Sequence, residues 1–273
     1  MSRHPFDLLM ELDTPDIRLD CAALHLARDA FPDLNMTVPL RTLDDLAARV
    51  SDERPGLAAN LRYEALRKVL VGDFGLTGNR DQYYDPDNCY LNQVLARRVG
   101  MPLSLSIVWI EVARRLKWPV AGVGLPGHFV VRIDDPERLV IVDPFNDGRT
   151  LGLDECRRIV RQRFGRSVRF SRSLLAPVDA RGILARLLRN LRNVYLAANE
   201  LPRVACVIQR MAALEPGNGQ HLQDMAAICC RLGDLRRAYA HLAAYLHRMP
   251  GGQDSGQVLG NLRQLRAALV ALN

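Results

Sequence analysis

The sequence contains no long hydrophobic run and no cysteine pair at metal-binding spacing, and each absence excludes a class of protein. No apolar stretch approaches the roughly 20 residues that a membrane-spanning helix needs. The first thirteen residues include acids and lack the apolar segment of a secretory signal. The six cysteines show no CxxC spacing, which argues against a zinc site or a disulfide framework. We therefore expect a cytoplasmic protein with no cofactor, no metal and no membrane partner.

What is present is a globular composition with an uneven charge. The 273 residues are 48% hydrophobic and 25% charged, which is enough for two domains with sizeable cores. Residues 1–150 hold 18 Lys and Arg against 22 Asp and Glu, whereas residues 151–273 hold 19 Arg against 8 acids. Seven arginines fall between Arg157 and Arg172. No recognisable recognition helix accompanies them, so we interpret this stretch as a solvated connector and keep nucleic acid only as an alternative partner.

The spacing of apolar residues divides the chain into three parts. Residues 1–75 have apolar positions three or four apart, which predicts a helical lead-in. In residues 76–178, two helices at about 89–99 and 102–117 precede strand-like runs at 120–124, 128–133 and 139–142. Residues 179–273 again predict helices, near 181–198, 201–214, 218–232, 235–248 and 255–271.

The last part repeats with a measurable period. Pro216 and Pro250 lie 34 residues apart, and so do Leu201 and Leu235. This is the period of tetratricopeptide repeats, in which paired helices stack and leave a concave surface. The helix at 255–271 would cap the stack. We therefore predict a small tetratricopeptide-like domain at the end of the chain.

The middle part contains a His and an Asp at the two ends of a predicted hairpin. If residues 134–137 form a four-residue turn, the register places His128 directly opposite Asp143. Opposed residues have Cβ atoms about 4.5–5.5 Å apart, close enough for a carboxylate to orient an imidazole. The pair would then be the base and the orienting group of a nucleophilic triad. A purely structural hydrogen bond is the alternative, and a slip of one residue would separate the two side chains.

Ordered motifs surround this pair. They are Gly78-Asn, Tyr83-Tyr-Asp-Pro-Asp-Asn-Cys-Tyr-Leu-Asn-Gln-Val-Leu, Arg98-Val-Gly-Met-Pro-Leu-Ser-Leu-Ser, Gly122-Val-Gly-Leu-Pro-Gly-His-Phe-Val-Val-Arg and Val142-Asp-Pro-Phe. Over nearly the whole chain, these motifs resemble the bacterial SirB-like family, whose founding name associates it with the regulation of virulence genes. The resemblance implies an α+β fold: a helical lead-in (1–75), a papain/transglutaminase-like core of helices packed on a small antiparallel sheet (76–178), and all-α tetratricopeptide-like repeats (179–273).

The resemblance also indicates which residues correspond to a catalytic triad. In active transglutaminase-like enzymes a Cys opens a buried helix, and the His and Asp come from successive strands of the following sheet. His128 and Asp143 match the last two positions, but the Cys position holds Pro102. The nearest hydroxyl is Ser104, which is far less acidic than a thiol and therefore a weaker nucleophile.

Cys89 is a second candidate nucleophile. It begins the preceding predicted helix, where the helix dipole favours a thiolate, and it follows a turn that could expose it. Tyr84, Asn88, Asn92 and Pro102 are then expected to line the cleft.

Two functions remain open at this point. The missing Cys favours a non-catalytic, regulatory module that binds a protein or peptide through the cleft and the repeats. The alternative is a papain-like thiol hydrolase or acyltransferase that acts on amide bonds with Cys89, His128 and Asp143.

Overall fold

The computed structural model describes residues 4–54, 56–136, 138–165, 167–252 and 254–271. Within these ranges residues 11–187 form one compact unit, and residues 4–10 with 188–271 form another. The helices are α1 Pro5–Leu9, α2 Leu19–Ala27, α3 Thr37–Asp52, α4 Ala59–Arg67, α5 Leu91–Arg97, α6 Pro102–Arg115, α7 Leu153–Phe164, α8 Ala180–Ala197, α9 Leu201–Leu214, α10 Gln220–Arg231, α11 Leu235–Arg248 and α12 Ser255–Ala271. The strands are β1 Thr77–Gly78, β2 Val99–Gly100, β3 Val120–Val123, β4 Val130–Asp134, β5 Leu139–Asp143, β6 Arg149–Leu151 and β7 Pro177–Val178.

Helix α6 forms the core of the unit 11–187. Every residue from Pro102 to Ala113 is buried, including Trp109, because the segment is apolar on nearly all sides. Pro102 occupies the first helical position, as predicted, since its missing N–H would have no partner inside the helix there. Helix α6 packs against α3 and against β3 and β4. The segment that carries the expected nucleophile position is therefore part of the hydrophobic core.

The sheet is antiparallel and follows the helices along the chain, as predicted. Its strand order is β6-β5-β4-β3-β7, so the hairpin β4–β5 lies within it. Helix α7 packs on this sheet through Cys156 and Val160, while its arginines stay exposed. The interpretation of the Arg157–Arg172 stretch as a solvated connector is therefore wrong for its first part. The apolar spacing that makes an amphipathic helix was present there, but the arginines obscured it.

The hairpin register differs from the predicted one by two residues. Asp134 pairs with Leu139 and Val131 with Val142, so the strands extend to Asp134 and the loop begins at Asp135. The backbone N–H of Asp135 donates to the carbonyl of Arg138 over 3.0 Å, and the N–H of Arg138 donates to the Asp135 carboxylate over 2.7 Å. A shift of two residues preserves the face on which each side chain lies. His128 is consequently diagonal to Asp143, not directly opposite it.

The other unit is helical, and its helix bounds agree closely with the predicted ones. Its helices α9 and α11 begin at Leu201 and Leu235, at the same point of each sequence period. Ala226, Leu242, Tyr245 and Val258 form a small core between α10, α11 and α12. None of the helices in the described ranges combines the length and the hydrophobicity that crossing a bilayer requires. The division of the chain at residues 75 and 178 stays a prediction.

Candidate functional site

The side chains of His128 and Asp143 meet at the end of the sheet where β4 begins and β5 ends. His128 Nε2 lies 2.9 Å from Asp143 Oδ2, with the histidine side chain 14% exposed and the carboxylate fully buried. A hydrogen on Nε2 would not point at the carboxylate well enough to form a hydrogen bond, although Nε2 and Oδ2 are this close. The pair is therefore a close polar contact.

The carboxylate of Asp143 is held by the loop that follows it. Its Oδ1 accepts hydrogen bonds from the backbone N–H groups of Phe145 and Asn146, and its Oδ2 accepts one from Asn146 Nδ2 over 2.7 Å. Burial raises the pKa of this carboxyl, but the contact with His128 and the bonds from Asn146 outweigh it, so the pKa lies below the ordinary aspartate value. Asp143 is thus fixed as a carboxylate.

His128 is positioned through its backbone. Its N–H donates to the carbonyl of Leu125 over 3.0 Å, and its carbonyl accepts a hydrogen bond of 2.7 Å from the guanidinium of Arg186. Arg186 also lies over the ring of Phe129, the next residue in the chain. These contacts hold the loop before β4 in place, so the imidazole edge that carries Nε2 faces Asp143.

An open cleft of about 430 Å³ adjoins the pair. The loop and strand side contributes Gly127, His128, Asp143 and Asn146. Strand β6 contributes Arg149, and α7 contributes Ile159, Gln162 and Arg163. The lining is mostly polar and carries two arginines. Among the described residues, no cluster of three or more His, Cys, Asp or Glu side chains could hold a metal ion.

The aligned nucleophile position is closed. Pro102 is buried and has no nucleophilic atom. The hydroxyl of Ser104, which is 1% exposed, donates to the carbonyl of Asn88 and accepts a hydrogen bond of 3.1 Å from the N–H of Met101. Neither residue lines the cleft at His128 in the described structure. The hydroxyl therefore caps the start of α6, and its proton and one acceptor position are already in use.

Cys89 does not have the environment that the sequence predicted. Helix α5 begins at Leu91, and Cys89 instead ends a 3₁₀ turn at Pro86–Asn88. Its thiol is 2% exposed and lies 3.3 Å from the sulfur of Met101. Burial, with a smaller effect from Asp85 and Asp87, raises the pKa of this thiol far above the ordinary value. The expectation of an exposed, acidic thiol is wrong, because the turn that precedes it folds inward.

The four residues expected to line the cleft have different environments. Asn88 is fully buried and donates through Nδ2 to the carbonyls of Gln82 and Tyr83, so its side chain organises the turn. Pro102 is likewise buried. Tyr84 is 72% exposed, and the buried Oδ1 of Asn92 has no hydrogen-bond partner in the described chain. The cleft at His128 is lined by other residues. The roles of Tyr84 and Asn92 in ligand binding stay predictions.

Four lining residues, Asn146, Arg149, Ile159 and Gln162, were not singled out from the sequence, and Arg163 was considered only as one of the arginines between Arg157 and Arg172. Asn146 lies three positions after Asp143, a spacing typical of an Asx cap, and that signal was available. Arg149, Gln162 and Arg163 could be predicted as cleft residues only from the positions of β6 and α7 in the fold. Glu155, three residues after Gly152, accepts its N–H over 3.0 Å as a helix-start signal does. The Gly152–Glu155 spacing predicts the start of α7, but it does not predict that the Arg163 side chain lines the cleft.

The fold and this geometry agree with a comparison to known proteins. The family model described as transglutaminase-like superfamily matches residues 39–189, more than half of the sequence. The chain belongs to this superfamily. The core of helices with a small antiparallel sheet is therefore the transglutaminase-like core that the motifs predicted. No solved structure matches this chain.

Bacterial proteins match this transglutaminase-like chain over most of its length. It is 37% identical to a UPF0162 protein of Xylella fastidiosa, over 94% of this chain and 93% of that protein. It is 33% identical to a UPF0162 protein of Pseudomonas aeruginosa, over 71% of each chain. A shorter match of 31% identity to F-box only protein 21 of Homo sapiens covers 47% of this chain and 21% of that protein. These relatives do not carry the SirB-like name, which stays a resemblance.

Proposed function

We propose that this chain is a non-catalytic, regulatory member of the transglutaminase-like superfamily, which binds a peptide segment of a partner protein in the cleft at His128 and Asp143. One observation carries the proposal. The acid–base pair faces an open cleft, whereas each candidate nucleophile is buried and lies outside the residues that line this cleft. Peptide binding needs only the open cleft with its polar pair. Catalysis by acyl transfer also needs an accessible nucleophile in that cleft.

The chemistry of the candidate nucleophiles supports this choice. The thiolate is the reactive form of cysteine, and burial in an apolar environment disfavours it, as the raised pKa of Cys89 reflects. The Ser104 hydroxyl is already bonded at both its donor and an acceptor position, with no base beside it among its described contacts. The alternative of a papain-like thiol hydrolase or acyltransferase with Cys89, His128 and Asp143 is therefore less well supported.

The pair suits recognition as well as it would suit catalysis. A charged carboxylate that fixes an imidazole presents a rigid polar edge to a ligand, and little conformational entropy is lost when a fixed group binds. The mostly polar cleft at this edge offers hydrogen-bond donors and acceptors that a peptide main chain can use.

We further propose that helices α9–α12 are tetratricopeptide-like repeats that add a second binding surface. The sequence period of 34 residues coincides with the starts of α9 and α11. Within this unit a groove of about 550 Å³ between α10, α11 and α12 has a partly apolar lining that includes the side-chain amides of Gln223, Asn261 and Gln264. Amide side chains of this kind can hydrogen-bond an extended peptide backbone.

The test uses a phage-displayed library of random peptides selected on the full chain. The variant Gln162→Trp fills the cleft, and Asn60→Trp places the same side chain on an exposed position of α4 as a control. Peptides selected by the wild-type chain should bind the control equally well and bind Gln162→Trp roughly tenfold more weakly. Mass spectra of each peptide after incubation, with and without a primary amine, should show no cleavage, deamidation or amine adduct.

Two results would contradict the proposal. One is a product mass that depends on Cys89 or His128, which would establish catalysis. The other is a selection in which Gln162→Trp binds every peptide as well as the control does, because the cleft would then play no part.

A further inference from the structure

The cleft carries positive charge, of which only part is paired within the described chain. Arg149 is half exposed, and its Nη1 donates a long hydrogen bond of 3.4 Å to the carboxylate of Glu155. Arg163 is exposed, and among the described residues no carboxylate pairs with it. The acidic residue in the described lining is Asp143, which is buried and bonded to its own loop. An incoming ligand therefore meets two guanidinium groups and an imidazole.

The arginine of α7 is held against the loop that carries His128. A Cβ atom on Gly127 would lie 2.4 Å from Cγ and 2.9 Å from Cβ of Arg163, so the arginine stem packs directly on the glycine. Gly127 also has φ +79°, a conformation that favours glycine. An arginine whose stem is already packed loses less side-chain entropy when its guanidinium binds a ligand. Arg163 is thus arranged as a preformed contact at the cleft.

The two cationic groups come from separate elements, with Arg149 at the start of β6 and Arg163 in the last turn of α7. A guanidinium group matches a carboxylate through two parallel hydrogen bonds. Two such groups on different elements can each take one carboxylate, so they suit a segment with more than one acidic side chain better than a single chain terminus. The described lining contains no aromatic side chain, which a single-stranded nucleic acid would need for base stacking.

We infer that the cleft selects peptide segments with Asp or Glu side chains, whose carboxylates are bound by Arg149 and Arg163. This inference rests on the proposed function, since it names the class of ligand for the same cleft. It also gives a role to α7 that the transglutaminase-like pair does not require.

The experiment measures binding of fluorescein-labelled peptides by fluorescence anisotropy. The peptides share one C-terminally amidated apolar framework, and their variable positions hold Glu, Gln, Lys or phosphoserine. The chain variants are Arg163→Gln, Arg149→Gln, Arg163→Lys and the cleft-filling Gln162→Trp. The control Arg161→Gln removes a charge from an exposed residue of α7 outside the cleft. Circular dichroism of each variant verifies that the fold is retained.

We expect the Glu peptide to bind more tightly than the Gln and Lys peptides. Either arginine-to-glutamine change should weaken binding of the Glu peptide roughly tenfold, because a charge-assisted pair is lost. The Arg163→Lys variant should restore part of the affinity, and Arg161→Gln should leave it within about twofold. A Glu peptide that binds equally well to Arg163→Gln and Arg161→Gln would overturn the inference.

The remaining outcomes separate this inference from the function on which it rests. If the Glu and Gln peptides bind equally and Gln162→Trp weakens both, the cleft binds peptides but does not select acidic side chains. If only the phosphoserine peptide binds in an Arg163-dependent way, the ligand is a phosphate and the inference is also wrong. If Gln162→Trp weakens the binding of no peptide, the proposed function itself fails.

Discussion

The two sides of the transglutaminase-like site differ in their access to the cleft. The pair side, His128 and Asp143, contains a carboxylate held by hydrogen bonds and adjoins an open cleft. The nucleophile side, which comprises Cys89, Pro102 and Ser104, is buried within the core and satisfied by local contacts. In a working acyl-transfer enzyme both sides would face the same cleft.

This difference indicates which parts of the fold are free to change. The pair side lies at the end of the sheet where β4 begins and β5 ends, and there His128 is partly exposed beside an open cleft. The nucleophile side lies at the start of α6, the most buried helix of its unit, where an unpaired polar group is costly. Replacing a reactive thiol there by Pro102 removes such a group and fits the first turn of a helix. Stability and binding are therefore separable in this molecule, and three measurements can test the separation.

The largest effect is expected on the nucleophile side, at Asn88. This fully buried side chain donates to the carbonyls of Gln82 and Tyr83 and accepts a hydrogen bond from Asn79 over 3.0 Å. The change Asn88→Ala leaves several buried groups unpaired and should lower the free energy of unfolding by about 3 kcal/mol. Urea unfolding followed by tryptophan fluorescence measures this change in the unit 11–187, which contains both tryptophans of the chain.

The control for Asn88 is Asn60→Ala, an exposed position on α4. We expect it to change the free energy of unfolding by no more than about 0.5 kcal/mol. Similar losses for the two variants would mean that the turn around Asn88 does not stabilise the nucleophile side.

The second effect concerns the reactivity of Cys89. Because its thiol is buried and its pKa is raised, thiolate is scarce and access is poor. Under native conditions near pH 8, iodoacetamide should modify Cys89 on the order of 100-fold more slowly than the exposed Cys230. Peptide mass spectrometry over a time course gives both rates in one sample. Equal rates would show that the Cys89 thiol is accessible to solvent and would support the thiol hydrolase alternative.

Much of the architecture could be predicted from the sequence, because apolar periodicity reports local structure. The bounds of α9, α11 and α12 follow from it closely, and Pro102 marks the start of α6. The meeting of His128 and Asp143 was also anticipated, although by a register that is wrong by two residues. The result survived because side chains alternate between faces along a strand, so an even shift keeps both residues on one face.

The environment of each side chain could not be predicted in the same way. Cys89 lies beside a charged turn in sequence, yet its neighbour in space is Met101, twelve residues later. Arg163 reaches the cleft because its stem packs on Gly127, a contact between residues 36 positions apart. Such contacts depend on how α7 and the loops pack on the sheet, and no local pattern encodes them. For this reason the pair was predictable and the cleft around it was not.

The smallest effect is expected on the pair side, from Asp143→Asn. The pKa of this carboxyl is lower in the folded chain than the ordinary aspartate value, so its ionised form stabilises the fold at neutral pH. That contribution is present above the unfolded pKa and is lost as the pH falls through the folded one. The difference in free energy of unfolding between the wild type and Asp143→Asn should therefore be largest near pH 7 and shrink below about pH 4. Urea unfolding at a series of pH values measures it, with the exposed Asp81→Asn as the matched change that should remain close to the wild type. A difference that stays constant on acidification would mean that the buried charge does not stabilise the pair side, and that shape and hydrogen bonding alone hold His128 at the cleft.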